Sequence, residues 1–442
     1  MLSSASGSPP LEGVFTIRTI PMCAPPTALC SRRARHTGRR QFESNRLIAL
    51  VAWSLLTLAQ SSGRNALHAQ KPRRTFEIVS ARSLQLIPLD TVRPTSTLRL
   101  SDDSLEFGRV GSGCFFENGD AVALSTAPPR LIALHGGSVP AYRLIGKRGN
   151  GPGEFQQPWA VECVGRDSVS VLEPFRITEG ELGGQLRSRA INASDRASWW
   201  DPIARVSDGT FLMRSRAKGG QGSSGTFRDT VDLVVGDPRR SGVMELRRLL
   251  RSPAGEYVRV YAGGGTTSAI HPFGRSLVVA AIDDVAYVMD TGTSDLIALP
   301  LDRRTARQVR FESVGRVVTR SARDLHESRR RAAARSPAER RLAEELLVRT
   351  VVPARAPLFD RIVATRGGGV WLREFVFEGD SVATWLQLDA TMKPVRRWQL
   401  PATVRLLAAT QTRALLVNAG EDGTEISVTE LPTTRASRKD RS

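Results

Sequence analysis

One strand–turn–strand pattern recurs six times between residues 114 and 417, and no other feature of this 442-residue chain narrows its fold so far. Each copy is an apolar strand, a tight polar or glycine turn, then a second apolar strand. The copies run Cys114–Leu124, Ala160–Val171, Ile203–Met213, Ala269–Val279, Ile362–Leu372 and Leu406–Val417. Asn118-Gly119, Asp208-Gly209 and Gly367-Gly368 supply the positive φ that two-residue hairpin loops demand.

Turn residues at 119, 166, 209, 274, 368 and 413 lie 47, 43, 65, 94 and 45 residues apart. Three of those intervals suit a four-stranded propeller blade of about 40–50 residues. Later strand material follows the turns, as in Arg130–Leu134, Ala286–Asp290 and Thr384–Asp389. A single such sheet buries one face poorly, whereas six in a ring cover one another. The spacing therefore predicts an all-β chain, a six-bladed β-propeller over 70–434. The segment around Ser83–Leu100 is expected to add the strand that closes the ring.

The interval of 94 holds the one strongly helical stretch. Ser336-Pro337-Ala338-Glu339 is a capping box with proline at the first helical position, and Leu342 and Leu346 share one face beyond it. A similar helix opens at Ser321, so an α-helical hairpin is expected over 317–351, leaving the fourth blade.

The segment Gly146-Lys147-Arg148-Gly149-Asn150-Gly151-Pro152-Gly153-Glu154-Phe155-Gln156-Gln157-Pro158 invites a phosphate-binding reading. That reading fails on context: Pro152 and Pro158 flank the end of the loop and strand residues follow, so no helix can start there to carry a phosphate. The residues read instead as a multi-turn connector between blades, with Phe155 as its packing anchor. This connector resembles that of NHL/TolB-like six-bladed β-propellers, closest to a group of exported bacterial proteins with no settled activity. Pro357-Leu358-Phe359-Asp360 ahead of the Trp371 strand and the helical insertion extend the likeness from about residue 80 to the basic tail. Val171-Leu172-Glu173-Pro174 departs from it, standing where such proteins often carry an aspartate turn, and points to an irregular second blade.

Residues 47–59 form an uncharged apolar run preceded by six arginines from Arg32 to Arg46 and followed by Ala66-Leu67-His68-Ala69. A basic region, a short apolar region and a small-residue cleavage site make a secretory signal over 1–69, with cleavage near Ala69 and Met22 as an alternative start. Thirteen residues are too few to span a bilayer, so no transmembrane helix is expected in the mature chain, which is placed in the periplasm or outside the cell. Export removes Cys23 and Cys30 and leaves Cys114 and Cys163 as a candidate disulfide, with buried free thiols the alternative.

The formal charge of +19 is spread thinly. Of 63 basic residues only five are lysine, and the excess sits in the N-terminal segment, the insertion and a basic tail at 435–442. A nucleic-acid binder concentrates charge on one face with aromatic platforms, so no nucleic-acid partner is expected.

The chain has no Gly-x-Ser-x-Gly elbow, and His135, His271 and His326 have no zinc spacing. Asp283-Asp284 reads as a solvated hairpin turn rather than a metal pair. No catalytic residue, metal or cofactor is therefore assigned, and a monomer is expected. The expected function is ligand or protein binding at one mouth of a central channel, with the helical hairpin over or beside that mouth. Arg320, Arg323, Arg329, Arg330 and Arg331 are the candidate contacts to an anionic envelope component or a protein partner. The alternative is a propeller hydrolase or lyase with a site assembled from several blades, calcium-dependent in one form.

Overall fold

The computed structural model describes residues 74–431 apart from 93–96, 101–108, 136–140, 192–199, 216–223, 238–243, 263–264, 303 and 421–422. The expected export segment and the basic tail lie outside these residues. Val- and Ile-rich runs broken by turns build six mainly antiparallel sheets of four or five strands, with little helix.

Sheet I consists of Arg109–Phe115, Ala121–Ala127, Pro129–His135 and Ala141–Ile145; sheet II of Ala160–Val164, Ser168–Glu173, Arg176–Glu181 and Arg187–Ala190. Sheet III has five strands: Trp200–Arg205, Phe211–Ser215, Gly225–Asp237, Glu245–Ala262 and Gly265–Ile270. Sheet IV runs Leu277–Ile282, Val285–Asp290, Asp295–Pro300 and Ala306–Phe311; sheet V runs Phe359–Ala364, Val370–Glu374, Val382–Leu388 and Pro394–Pro401. Sheet VI holds Val404–Ala409, Arg413–Gly420 and Gly423–Glu430.

The segment before sheet I feeds three other sheets. Arg74–Val79 adds a parallel edge to sheet IV, Leu89–Thr91 a parallel edge to sheet V, and Thr97–Leu100 pairs antiparallel with the last strand of sheet VI.

Five of the six expected turns open a sheet's first hairpin; the fourth does not. Gly265–Ile270 is an extra outer strand of sheet III, so Gly274 lies in the connector to sheet IV, and Asp283-Asp284 makes the hairpin itself. Asp283 takes the left-handed turn conformation at φ 52° that glycine supplies elsewhere. Sheet II is also regular, its three ladders running without a register shift. Glu173 fastens the connector to this sheet. Buried at 1% exposure, it accepts the Gln156 and Gln157 backbone N–H groups at 2.6 and 2.9 Å and pairs with Arg176.

The apolar core is divided among the seams between sheets. Phe116, Leu131 and Val171 join I to II, and Leu172, Phe211 and Val234 join II to III. Leu212, Leu233 and Val288 join III to IV, and Phe311, Phe359 and Leu372 join IV to V. Between V and VI, Trp371 stacks on Trp398 at 5.4 Å beside Leu406 and Leu416. Phe115 and Ile132 pack against Leu415 and Ile426, so sheet VI shares a seam with sheet I.

The insertion is a helical hairpin of Arg320–Ala333 and Pro337–Arg349. Thr319 caps the first helix, and Ser336 with Glu339 makes the capping box of the second. Leu346 packs on Val258 and Val260 of sheet III's long fourth strand. Val318 joins Phe273, Ala356 and Phe377, next to the connectors that enter sheets IV and V.

Candidate functional site

The first strands of consecutive sheets lie side by side, I against II, II against III and onward, with VI against I. Together they line a cavity of about 440 Å³. Its wall draws on all six first strands and, for every sheet but VI, on the turn that follows. The wall mixes polar groups with aliphatic side chains in about equal measure, the latter including Ile203, Val279, Ile362 and Leu407. Its charged groups are Glu117, Glu162, Arg205, Asp283 and Arg366.

Glu162 sits in the middle of sheet II's first strand, and the surface it keeps opens into the cavity. Enclosure disfavours its charged form and pushes its pKa up to about 8, only partly countered by the Arg366 charge. Arg366 belongs to the first hairpin turn of sheet V, held there by its backbone N–H donating to Ala409 O at 3.2 Å. Its side chain reaches sheet II, with which sheet V shares no core seam, and Nη2 donates to Cys163 O at 3.4 Å. Nη1 is buried without an acceptor. Arg205, by contrast, is paired with Glu179 at 3.2 Å.

The disulfide between Cys114 and Cys163 forms part of the same wall, joining the first strands of sheets I and II. Among the described residues no three His, Cys, Asp or Glu side chains gather as a metal-binding group, and no helix is long and apolar enough to cross a membrane.

The expected arginine contacts do not converge. Arg320, Arg323 and Arg329 are exposed on the first insertion helix, and nine residues at 100° each put Arg329 opposite Arg320. Arg331 is held by Glu344 at 2.8 Å and Glu327 at 3.2 Å, tying the two helices together. Burial lowers the pKa of the half-buried Arg330. None of the five lines the cavity. The hairpin packs beside residues that precede the first strands of sheets IV and V, whereas the cavity is built from those strands' later residues. The expected cover over the mouth is thus on other surfaces, because Leu346 and Val318 draw the hairpin to sheet III and the connectors.

The glycine segment links sheets I and II. Lys147–Arg148 and Glu154–Phe155 form a two-residue parallel ribbon, Phe155 is fully buried in the I–II seam, and Glu154 accepts the Gly151 N–H at 2.8 Å. That bond and the Lys147 ammonium hold the Glu154 carboxyl below its usual pKa. Gly146, Gly149, Gly153, Pro152 and Pro158 belong to this connector and not to the cavity.

Glu162 and Arg366 were not singled out from the sequence. The available signal for Glu162 is a lone charge within the apolar strand Ala160–Val164; Arg366 reads only as a turn residue.

No protein-family model matches the chain, and no curated protein matches it. Among solved structures it is similar to a Bacteroides fragilis protein described as exported, at 10% identity and TM-score 0.44, over 80% of this chain and 100% of that one. A Bacteroides vulgatus member of the DUF4221 family matches at 9% identity and TM-score 0.45, over 77% and 98%. Virginiamycin B lyase from Staphylococcus aureus matches at 10% identity and TM-score 0.34, over 76% and 99%. At such scores none of these likenesses carries fold or function to this chain.

Proposed function

We propose that the six sheets are the blades of a six-bladed β-propeller, that the protein is exported, and that it binds a small molecule in the cavity where the first strands converge. Six seams of buried apolar residues, the last between sheets VI and I, support the propeller. Hydrogen bonds cross every seam as well, among them Val161 N–H to Ser112 Oγ and Trp159 Nε1–H to Pro202 O. Others join Ser207 to Asp284, Gly369 N–H to Tyr287 Oη, Arg366 N–H to Ala409 O and Arg405 to Val110 O. The Cys114–Cys163 disulfide supports an oxidising compartment and hence the secretory signal.

The observation that carries the binding reading is Arg366 reaching from sheet V to sheet II beside a carboxyl that holds its proton. A few enclosed charged groups converging in a concave cavity of this size favour a ligand site over a structural core. A ligand-observed NMR screen of chemically mixed fragments tests it. Binding fragments are expected, and Ala280→Trp, which fills the wall of sheet IV, should abolish their signals while leaving the circular dichroism unchanged. Fragments that bind equally to Ala280→Trp would refute the cavity as the site.

A carboxyl protonated near neutrality is also what a general acid requires, which favours a second reading, a hydrolase or lyase using Glu162. Turnover of a bound fragment that Glu162→Gln stops would separate this reading from binding alone.

A further inference from the structure

The chemistry of the wall narrows the ligand class, an inference that rests on the cavity-binding reading. Arg366 lines the cavity, and among the described residues no carboxylate lies within ion-pair distance of it. One of its nitrogens has no acceptor. An uncompensated, largely enclosed guanidinium is costly unless a negative group arrives beside it. Glu162 is the nearby candidate, but enclosure keeps its proton on at neutral pH, so it stands as a neutral hydroxyl donor. Arg205 is already satisfied by Glu179, and Glu117 and Asp283, on the hairpin turns of sheets I and IV, bring negative charge rather than donors.

A guanidinium that reaches sheet II and a carboxylic acid O–H on the first strand of that sheet suit one small oxyanion, and guanidinium matches a carboxylate in planar, two-pronged geometry. A phosphate dianion would call for more donors than these. Aliphatic side chains, among them Ile203, Val279 and Leu407, supply the apolar part of the wall, and about 440 Å³ lies within the usual range of small-ligand pockets.

We propose that the cavity takes a small organic acid, its carboxylate held between Arg366 and Glu162 and its apolar body against Ile203, Val279, Ile362 and Leu407. The bound state then requires a protonated Glu162. Arg366 supplies the counter-charge, while Glu117, Asp283 and the Arg205–Glu179 pair set the surrounding field.

Isothermal titration of the full chain with hexanoate, hexanol and hexylammonium, at pH 6.5 and 9.5, tests this. Hexanoate should bind at pH 6.5, and the two other probes should not. With a carboxyl that titrates near 8, the competent fraction falls and hexanoate affinity should drop about thirtyfold at pH 9.5. Arg366→Gln should remove hexanoate binding. Glu162→Gln, which keeps a neutral donor, should retain binding and lose the pH dependence, and it guards against an Arg366 variant that fails to fold. Equal binding of hexanol, preference for hexylammonium, no hexanoate binding, or a pH dependence that survives in Glu162→Gln would each overturn the carboxylate assignment. Hexanol or hexylammonium captured in a manner blocked by Ala280→Trp would overturn it while leaving the cavity as the binding site.

Discussion

Cys114 and Cys163, 49 residues apart in sequence, bridge the first strands of sheets I and II with their Cα atoms 5.6 Å apart. The bond closes a loop that contains the whole of sheet I beyond its first strand and the glycine connector. Constraining a loop of this length in the unfolded chain is worth up to about 4 kcal/mol in the chain-entropy treatment. The double variant Cys114→Ser, Cys163→Ser should therefore unfold at clearly lower urea concentration. Reduction of the unmodified chain should do the same, and a midpoint unchanged by dithiothreitol would contradict this.

Glu173 and Arg176 fasten the same connector from sheet II. The Glu173 carboxylate takes two backbone N–H groups and the Arg176 guanidinium, with the carboxylate almost wholly buried. Truncation strands a mostly buried charge and two donors. Glu173→Ala should cost roughly 3–5 kcal/mol, measured by denaturant titration. Glu173→Ala, Arg176→Met should recover part of it, because the unpaired charge goes with its partner.

Five of the six first hairpins are legible in the sequence: four turns use glycine, alone or beside asparagine or aspartate, where positive φ is needed, and the turn at Thr410–Thr412 is marked only by the apolar strands on either side. The fourth was misread because Gly265–Ile270 followed by Gly274 imitates a strand and turn, while Asp283 adopts the left-handed conformation without glycine. The extra strand of sheet III has no composition of its own to mark it. The capping box of Ser336 fixed the second insertion helix, since its signal is local. The site was not legible: Glu162 and Arg366 come from sheets II and V and meet only through long-range packing of every sheet between them. Charge density draws attention instead to the insertion arginines, of which Arg331 is spent on Glu327 one helical turn away and on Glu344 of the neighbouring helix.

His271 joins the insertion to sheet III. It is 3% exposed, Nε2 bonds Val351 O at 3.0 Å, and Nδ1 accepts the Phe273 N–H at 3.2 Å, an arrangement that needs the neutral ring. Burial holds its pKa below the usual histidine value, against the raising pull of the Val351 carbonyl and Glu256. The unfolded chain takes up that proton first, so stability should fall as pH drops below about 6.5 and level off once the folded value is passed. The urea midpoint of the wild-type chain should decline over that window more steeply than that of His271→Asn. Parallel profiles would remove the claim.

Gly146 and Gly165 both have positive φ, 82° and 60°, but differ in what surrounds them. A Cβ at Gly146 would collide with the Phe155 ring and the Gly153 carbonyl, whereas nothing lies within 4 Å of one at Gly165. Gly165→Ala should cost roughly 1 kcal/mol for backbone conformation alone. Gly146→Ala adds displacement of the seam's anchor and should cost roughly 2–4 kcal/mol. Thermal unfolding of the two variants side by side checks the ordering.

Glu162 should show the opposite pH behaviour to His271. Its folded pKa lies near 8 against 4.5 for the free carboxyl, so the folded chain keeps a proton that the unfolded chain releases. Its contribution to stability is full below about 4.5, declines as pH rises through the interval, and is flat above about 8. Glu162→Gln should lose that decline and become relatively more stable at pH 9. Carbon-13 NMR of the labelled carboxyl should give a midpoint near 8. Because the Arg366 charge is the one influence that lowers this pKa, Arg366→Gln should move the midpoint further up. An unchanged midpoint would mean that the two side chains do not sense each other, and a downward move would contradict the Arg366 charge as the influence that lowers this pKa.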